Sequence, residues 1–493
     1  MAVPVDSFFL DPEAPGTLQA RIQQMVAEEI LSGRLKPGEK LPSTRRLAAH
    51  LGVSRITVTL AYSELLANDY LTARGRSGYY VSETAPRPAM LPPAPPPGQP
   101  VDWEATLARR AAGGAGLKKP RDWRRFRFPF IYGQPDPALF DHSGWRQCAI
   151  RALGQKDIDA LTADQHDTDD PLLVEFIARH ILPRRGIRAG EGEILVTLGA
   201  QNALWIAAQL LLAPGRRAAI EDPCYPALRD ILAQTGCAIA PVAVDAEGLP
   251  PETIPEGVAA IFTTPSHQCP TSATMPRARR KALIARAREL GAVVVEDDYE
   301  FEMAYLKAPL PALKSLDADG RVIYAGSFSK SLFPGLRLGY LVGPAPFIAE
   351  ARALRATLLR HAPGHTQRTA AYYLSLGHYD AQIQRLGREL AARRVAMEAA
   401  VRAAGLELAG AGAHGGSSFW MRAPLGVDAA RLAARLAARD VLIEPGAPFF
   451  SATAERAEAA RHFRLGYGSI PRERIGEGIA RIAAEIAAMQ AEV

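Results

Sequence analysis

Apolar residues recur at helical spacing at Leu18, Ile22, Met25, Val26 and Ile30, predicting an amphipathic helix that Gly33 can end. Pro37-Gly38 reads as a turn. Ser43 can cap a second helix that carries Arg45, Arg46 and Leu47 and ends near Leu51-Gly52. Ser54 can cap a third, containing Arg55, Thr57, Val58 and Tyr62. Two short helices joined by Leu51-Gly52-Val53-Ser54 make a helix-turn-helix. Beyond it, Tyr70 to Ala73 and Tyr79 to Val81 flank Arg74-Gly75-Arg76-Ser77-Gly78, a hairpin with basic residues at its tip.

The pattern then changes. Pro86 to Pro100 is proline-dense and apolar periodicity stops, as in a semi-rigid polyproline spacer. A short helical piece is expected from Trp103 to Ala112. The basic cluster from Lys118 to Arg127 reads either as a solvated tail or as a phosphate or inter-domain contact. After it, short β-rich runs alternate with helical stretches: Ile194 to Thr197, Arg217 to Ile220, Ala259 to Phe262, Ala292 to Val295 and Val322 to Tyr324. Such alternation predicts a mostly parallel sheet covered on both faces, an α/β domain. The expected organisation is an N-terminal winged helix at 15–83, a linker at 84–127 and a large domain at 128–493. A smaller α+β subdomain, Ala-rich and helical in period, is expected from about 345.

In open parallel sheets the ligand sits beyond the carboxyl ends of the strands. The groups that follow each strand converge on one chemistry. Gly199-Ala200-Gln201 opens a helix whose free N–H groups can hold a phosphate. Glu221-Asp222-Pro223-Cys224-Tyr225-Pro226 offers an aromatic face on a rigid turn. Thr264 to Thr271 and Glu296-Asp297-Asp298-Tyr299 follow the next two strands. The last strand leads into Ser327-Phe328-Ser329-Lys330, where a lysine beside apolar walls can become a Schiff-base nucleophile, and Arg337 can fork onto a phosphate. Each signal alone fits a solvated lysine, a helix cap or a core edge. Together, a carboxylate, a phenol, a stacking ring, a phosphate cradle, a lysine and an arginine are what pyridoxal 5'-phosphate requires.

Charge sharpens the N-terminal reading. The chain carries a net +6, yet residues 1–84 hold nine Lys/Arg and nine Asp/Glu, so only the placement of charge can favour DNA. From Arg34 to Arg55 there are six cations and one acid, Glu39. That asymmetry suits a helix in the major groove with a basic wing on the phosphates, although a three-helix bundle with solvated arginines has the same pattern. The 493 residues exceed a single core. The start lacks the basic and apolar regions of a signal peptide, and no window reads as a membrane span. Cys148, Cys224, Cys237 and Cys269 lack Cys-x-x-Cys spacing, so neither a disulfide framework nor a metal site is expected, and a cytoplasmic location fits.

Leu41-Pro42-Ser43-Thr44-Arg45-Arg46-Leu47-Ala48, Gly52 to Val58 and Gly75 to Val81 closely resemble the GntR-type winged helix. The resemblance implies that Arg45, Ser54, Arg55 and Thr57 meet double-stranded operator DNA at the groove, with Arg76 and Gly78 in the wing. The strand-end groups resemble fold-type I aminotransferases. By that resemblance Lys330 carries pyridoxal phosphate as a Schiff base, Asp297 pairs its ring nitrogen, Tyr299 bonds its hydroxyl and Tyr225 stacks on it. Ala200, Gln201, Ser327, Ser329 and Arg337 would hold the phosphate, and Arg464 would clamp a ligand carboxylate. The domain order is similar to MocR/GabR-type regulators, as is the entry Phe130-Ile131-Tyr132-Gly133-Gln134-Pro135-Asp136. This implies a homodimer that senses a small amino compound. Related proteins respond to γ-aminobutyrate, taurine or ectoine-derived amino acids, or govern vitamin B6 synthesis. Leu182 to Gly186 and Asp170 to Leu173 lean toward the taurine and ectoine type. Three readings follow: a sensor-regulator, an aminotransferase with a DNA-binding appendage, and a repressor with a vestigial second domain. Cys269 and Ser272 stand where such enzymes commonly have asparagine and glycine, and Thr168 to Leu173 replaces an expected tyrosine and glycine. These departures bear on turnover more than on cofactor capture.

Overall fold

A computed structural model describes residues 3–11, 14–86, 101–107, 119–452 and 454–492. The chain divides into two compact units, Met1–Arg109 and Arg110–Val493. The division falls within the stretch expected to be linker. Most of the proline-dense segment and residues 108–118 lie outside the described residues. Of the short helix expected from Trp103, Trp103–Thr106 is present.

In the first unit, α1 (Leu18–Leu31), α2 (Thr44–Leu51) and α3 (Arg55–Ala67) precede a hairpin of β1 (Leu71–Ala73) and β2 (Tyr79–Val81). The caps are those that the sequence offers. Ser43 accepts from the Arg46 amide and Ser54 from the Thr57 amide, satisfying otherwise open helix N–H groups. Gly52 takes φ 65°, a left-handed cap that reverses the chain between α2 and α3. Ile22, Val26, Ile30, Leu47, Val58, Tyr62 and Leu65 make the core. Leu18, expected on the apolar stripe, is 45% exposed at the helix start. Tyr62 Oη donates to the Pro42 carbonyl at 3.1 Å, tying α3 to the approach of α2. The hairpin tip is a 3₁₀ turn at Gly75–Ser77.

The second unit is built on a seven-stranded sheet. In chain order its strands are β3 (Ile194–Thr197), β4 (Arg217–Asp222), β5 (Ala238–Ala243), β6 (Ala260–Thr263), β7 (Val293–Asp298), β8 (Val322–Ser327) and β9 (Gly339–Val342). The spatial order is β3-β9-β8-β7-β6-β4-β5. β4 to β8 pair in parallel, whereas β9 runs antiparallel between β3 and β8. β3, β6 and β8 are buried along their whole length, as continuous apolar runs require when helices cover both faces. α4 (Ala200–Leu211) follows β3.

The C-terminal part is α+β. α5 (His378–Ala403) and α6 (Arg472–Gln490) pack on a four-stranded antiparallel sheet of β10 (Glu407–Ala411), β11 (Ser418–Arg422), β12 (Glu444–Pro445) and β13 (His462–Gly466). Phe128 and Phe130, far upstream in sequence, are fully buried in that subdomain's core. The chain therefore passes the mouth of the central sheet between 131 and 140, which positions Tyr132 and Gly133.

Candidate functional site

At the carboxyl end of the central sheet lies a cavity of about 560 Å³. Ala200, Gln201, Tyr225, Asp297, Tyr299, Ser327, Ser329, Lys330, Arg337 and Arg464 all line it, so the ten residues expected around a cofactor and its ligand are brought together. Asp297 stands at the end of β7 and Ser327 at the end of β8, with Lys330 in the turn beyond. Ala200 and Gln201 open α4, directly after Gly199 at φ 85°.

Burial sets the electrostatics. The Lys330 ammonium loses hydration and faces Lys119 and Arg464, which together bring its pKa down to about 8 despite the nearby Glu300. A lysine so tuned is free amine in about a tenth of molecules at pH 7, far more than an unperturbed lysine. Asp297 moves the other way, up to about 7, first because it is buried and then because Asp298 and Glu221 lie near. Its Oδ1 is a buried acceptor with no hydrogen bond among the described residues. A protonated heteroaromatic nitrogen is the complement that such a carboxylate lacks.

The remaining geometry fits a phosphorylated aromatic ring. Arg337 adopts φ 52° and donates to the Leu198 carbonyl at 2.9 Å, which aims its guanidinium across Gly199. A Cβ at Gly199 would stand 3.3 Å from Arg337 Nη2, so glycine keeps that approach open. The Ser329 amide donates to Ser327 Oγ at 3.2 Å. Tyr225 Oη donates to Gln201 Oε1 at 3.4 Å, and burial pushes its phenol up to about 12, so it stays neutral. Tyr299 donates its hydroxyl to the His267 carbonyl at 2.8 Å, so the phenol oxygen can still accept a hydrogen bond. Pyridoxal phosphate could be held here with its ring nitrogen on Asp297, its phosphate among α4, Ser327, Ser329 and Arg337, and its aldehyde at Lys330.

Several lining residues were invisible to pattern reading. Tyr132 carries Lys330 Nζ 4.4 Å and Arg464 Cζ 4.1 Å from its ring centroid. The motif containing it was legible, its role was not. Gly133 has φ 72°, and a Cβ there would meet Lys330 Nζ at 2.5 Å. Arg464 Nε donates to Glu444 Oε2 at 2.8 Å across the β12–β13 pair, and its Cζ lies 4.7 Å from the Phe449 ring. Burial opposes that charge, but Glu444 outweighs it and keeps Arg464 cationic. Lys119, from the basic cluster, also lines the cavity, whereas Arg127 of the same cluster pairs with Glu477 at 2.9 Å.

The stretches that leaned toward a ligand class have structural partners. Arg185 is wholly buried, donating to Asp298 at 2.6 Å and to Ser266 at 2.7 Å. Asp298 in turn takes the Tyr324 hydroxyl at 2.8 Å, so this network braces the strand that bears Asp297. Asp169 is held by Arg352 and Arg355, and Asp170 caps the helix at Pro171–Phe176 and pairs with Arg368.

In the first unit, Arg45 and Arg55 are exposed and make no ion pair among the described residues. Ser54 and Thr57 spend part of their capacity on the cap, their hydroxyls lying 2.8 Å apart. In the wing, Arg74 and Lys40 sit on the Tyr80 ring at 4.6 and 5.8 Å, and Gly78 takes φ 107°. The Arg76 side chain lies outside the described residues. Among those residues there is no cluster able to hold a metal ion and no helix long and apolar enough to cross a membrane.

Residues 18–81 match the family described as bacterial regulatory proteins, gntR family, and residues 149–482 match aminotransferase class I and II. The chain is 57% identical over 483 residues to "HTH-type transcriptional regulator TauR" of Rhodobacter capsulatus, covering 98% of this chain and 99% of that one. It is 33% identical over 401 residues to "Probable rhizopine catabolism regulatory protein MocR" of Rhizobium meliloti, covering 78% and 77%. Among solved structures, LysN, the α-aminoadipate aminotransferase of Thermus thermophilus complexed with N-(5'-phosphopyridoxyl)-L-leucine, is 28% identical with a TM-score of 0.70 over 80% of this chain and 100% of that one. With a gntR-family domain and an aminotransferase-like domain in one polypeptide, the chain belongs to the MocR-type transcriptional regulators, GntR-type winged helices fused to an aminotransferase-like domain.

Proposed function

We propose that this regulator binds pyridoxal phosphate through Lys330 and uses it to sense a small amino compound, controlling genes for that compound's metabolism. A short amino-sulfonate of the taurine type is the favoured effector, in keeping with the similarity to TauR. The observation that carries the reading is the buried Asp297 Oδ1, without a hydrogen-bond partner among the described residues, in the same cavity as a lysine tuned to about 8. Bound there, pyridoxal phosphate supplies an aldehyde that condenses reversibly with amines. The chain's own residues do the rest. Asp297 holds the proton on the ring nitrogen, Lys330 offers and takes back its amine, and Arg464 orients the ligand's anion.

The regulator acts as a homodimer on operator DNA, with Arg45, Ser54, Arg55 and Thr57 toward the groove and Arg76 and Gly78 in the wing. The domain limits 15–83, 84–127 and 128–493 are part of the same proposal. An effector changes transcription only if it binds two arrangements of the protein unequally. Lys330→Ala tests the reading. The variant should lose the visible absorbance band of lysine-bound pyridoxal phosphate and all effector response, while operator affinity without effector stays within about twofold of wild type, since no DNA contact is removed. A surviving band would show that another amine carries the cofactor.

A further inference from the structure

Lys119 belongs to the basic cluster at 118–127, and it lines the cavity that holds Lys330. It donates to the Tyr132 carbonyl and lies 3.1 Å from Glu444 Oε1, which has no hydrogen-bond partner among the described residues. Glu444 Oε2 takes Arg464 Nε. Glu444 therefore stands between two cations and draws them to one wall. Arg464 gives Glu444 only its Nε, so its two terminal nitrogens make no hydrogen bond among the described residues although the residue is buried. An ammonium has three donors; the Tyr132 carbonyl takes one, and the ion pair with Glu444 leaves at least one more on Lys119. The wall thus offers an oxyanion three donors: two from a planar fork and one from a point charge beside it.

A carboxylate has two oxygens and is satisfied by the fork. A sulfonate has three, arranged tetrahedrally, and its third oxygen needs a donor outside the guanidinium plane. Lys119 and Arg464 both pair with the one carboxylate of Glu444, leaving one positive charge over on this wall. A carboxylate or a sulfonate balances that charge equally, so the discrimination rests on the third oxygen.

We infer that Lys119 is a specificity-determining residue of the effector site, completing with Arg464 a two-cation receptor that prefers the sulfonate of an amino-sulfonate to the carboxylate of an amino acid of equal length. This rests on the reading of the cavity as a pyridoxal phosphate and effector site. It also gives Lys119, from the basic cluster near the start of the second compact unit, a direct part in that site.

Taurine and β-alanine, which share the amine and its two-carbon spacer, are the probes. Each is titrated into full-length, cofactor-loaded protein, and the dissociation constant is read from the cofactor's spectral change. Wild type should prefer taurine. Lys119→Gln should reduce the taurine to β-alanine preference by about tenfold, the loss of one charge-assisted hydrogen bond. Lys119→Arg, which keeps charge and reach, should retain most of it. An unchanged ratio in Lys119→Gln overturns the inference, because a residue that only braces Tyr132 and Glu444 would weaken both probes alike. A cofactor band in wild type with no response to either probe also overturns it. Absence of the band itself would instead overturn the cofactor reading beneath it.

Discussion

Asp297→Asn separates stability from function at a single atom. In the cofactor-free protein the carboxyl rises from its ordinary 3.8 to about 7, chiefly through burial. Each factor of ten in proton affinity is worth about 1.4 kcal/mol, so ionising Asp297 costs the folded state on the order of 4 kcal/mol above pH 7. Because the folded value is the higher one, the folded state is unpenalised below about pH 4. It loses stability as pH climbs to 7 and loses no more beyond. Asparagine keeps the shape and never ionises. Its own unpaired amide costs the same at every pH, so the pH dependence isolates the charge. Urea midpoints of cofactor-stripped protein, followed by the fluorescence of Trp123, Trp145, Trp205 and Trp420 in the second unit, supply the measurement. The stability difference between variant and wild type should shift in the variant's favour by about 2–3 kcal/mol between pH 5 and pH 8. Cofactor affinity should move oppositely, falling by about 100-fold as the buried partner of the ring nitrogen is lost. Parallel pH profiles would refute the raised proton affinity. Equal cofactor binding would refute the pairing of Asp297 with the ring.

Two further outcomes test the DNA-binding unit. Arg55→Ala should weaken operator binding by about 1–3 kcal/mol and relax specificity at one position if the guanidinium reads a base; a footprint identical to wild type at equal affinity excludes that role. Tyr62→Phe should lower the stability of the winged helix by about 1–2 kcal/mol, since the Pro42 carbonyl loses a buried donor, and a thermal melt unchanged within error would mean water replaces it.

Strand ends were readable because parallel strands buried on both faces leave little choice but Val, Ile, Ala and Phe, and each run ends where polarity resumes. Ile194 to Thr197 and Val322 to Tyr324 show this, and Asp297 and Lys330 follow from the rule about carboxyl ends. Two strands of the central sheet escaped notice. Ala238–Ala243 is apolar throughout but contains Pro241, which argues against a strand except at a sheet edge, and the edge is where it lies. Gly339–Val342 is short and follows the lysine turn without a helix between, because it enters antiparallel. Contacts made across long sequence separations were opaque for a different reason. Lys119 meets Glu444 across more than 300 positions, and no local pattern distinguishes it from Arg121 or Arg124 beside it. Tyr132 is positioned by Phe128 and Phe130, whose partners lie in the last third of the chain.

On the proposed reading, those distant contacts decide what kind of ligand can act. The half of the cavity with Asp297, Ser327 and Lys330 belongs to the ends of the central sheet. The other half belongs to the C-terminal subdomain: Arg464 and Glu444 face each other on β13 and β12, and Tyr132 hangs from a segment buried in that subdomain's core. On the proposed reading, an amine without an anion engages only Lys330's side, and an anion without an amine engages only Arg464's. Neither has a reason to favour one arrangement of the two halves over another. A compound carrying both groups does, because its binding energy depends on the distance between Lys330 and Arg464, and a ligand can shift an equilibrium only by such a difference. The spacer length of the effector, more than its affinity for either end, should therefore set the size of the transcriptional response.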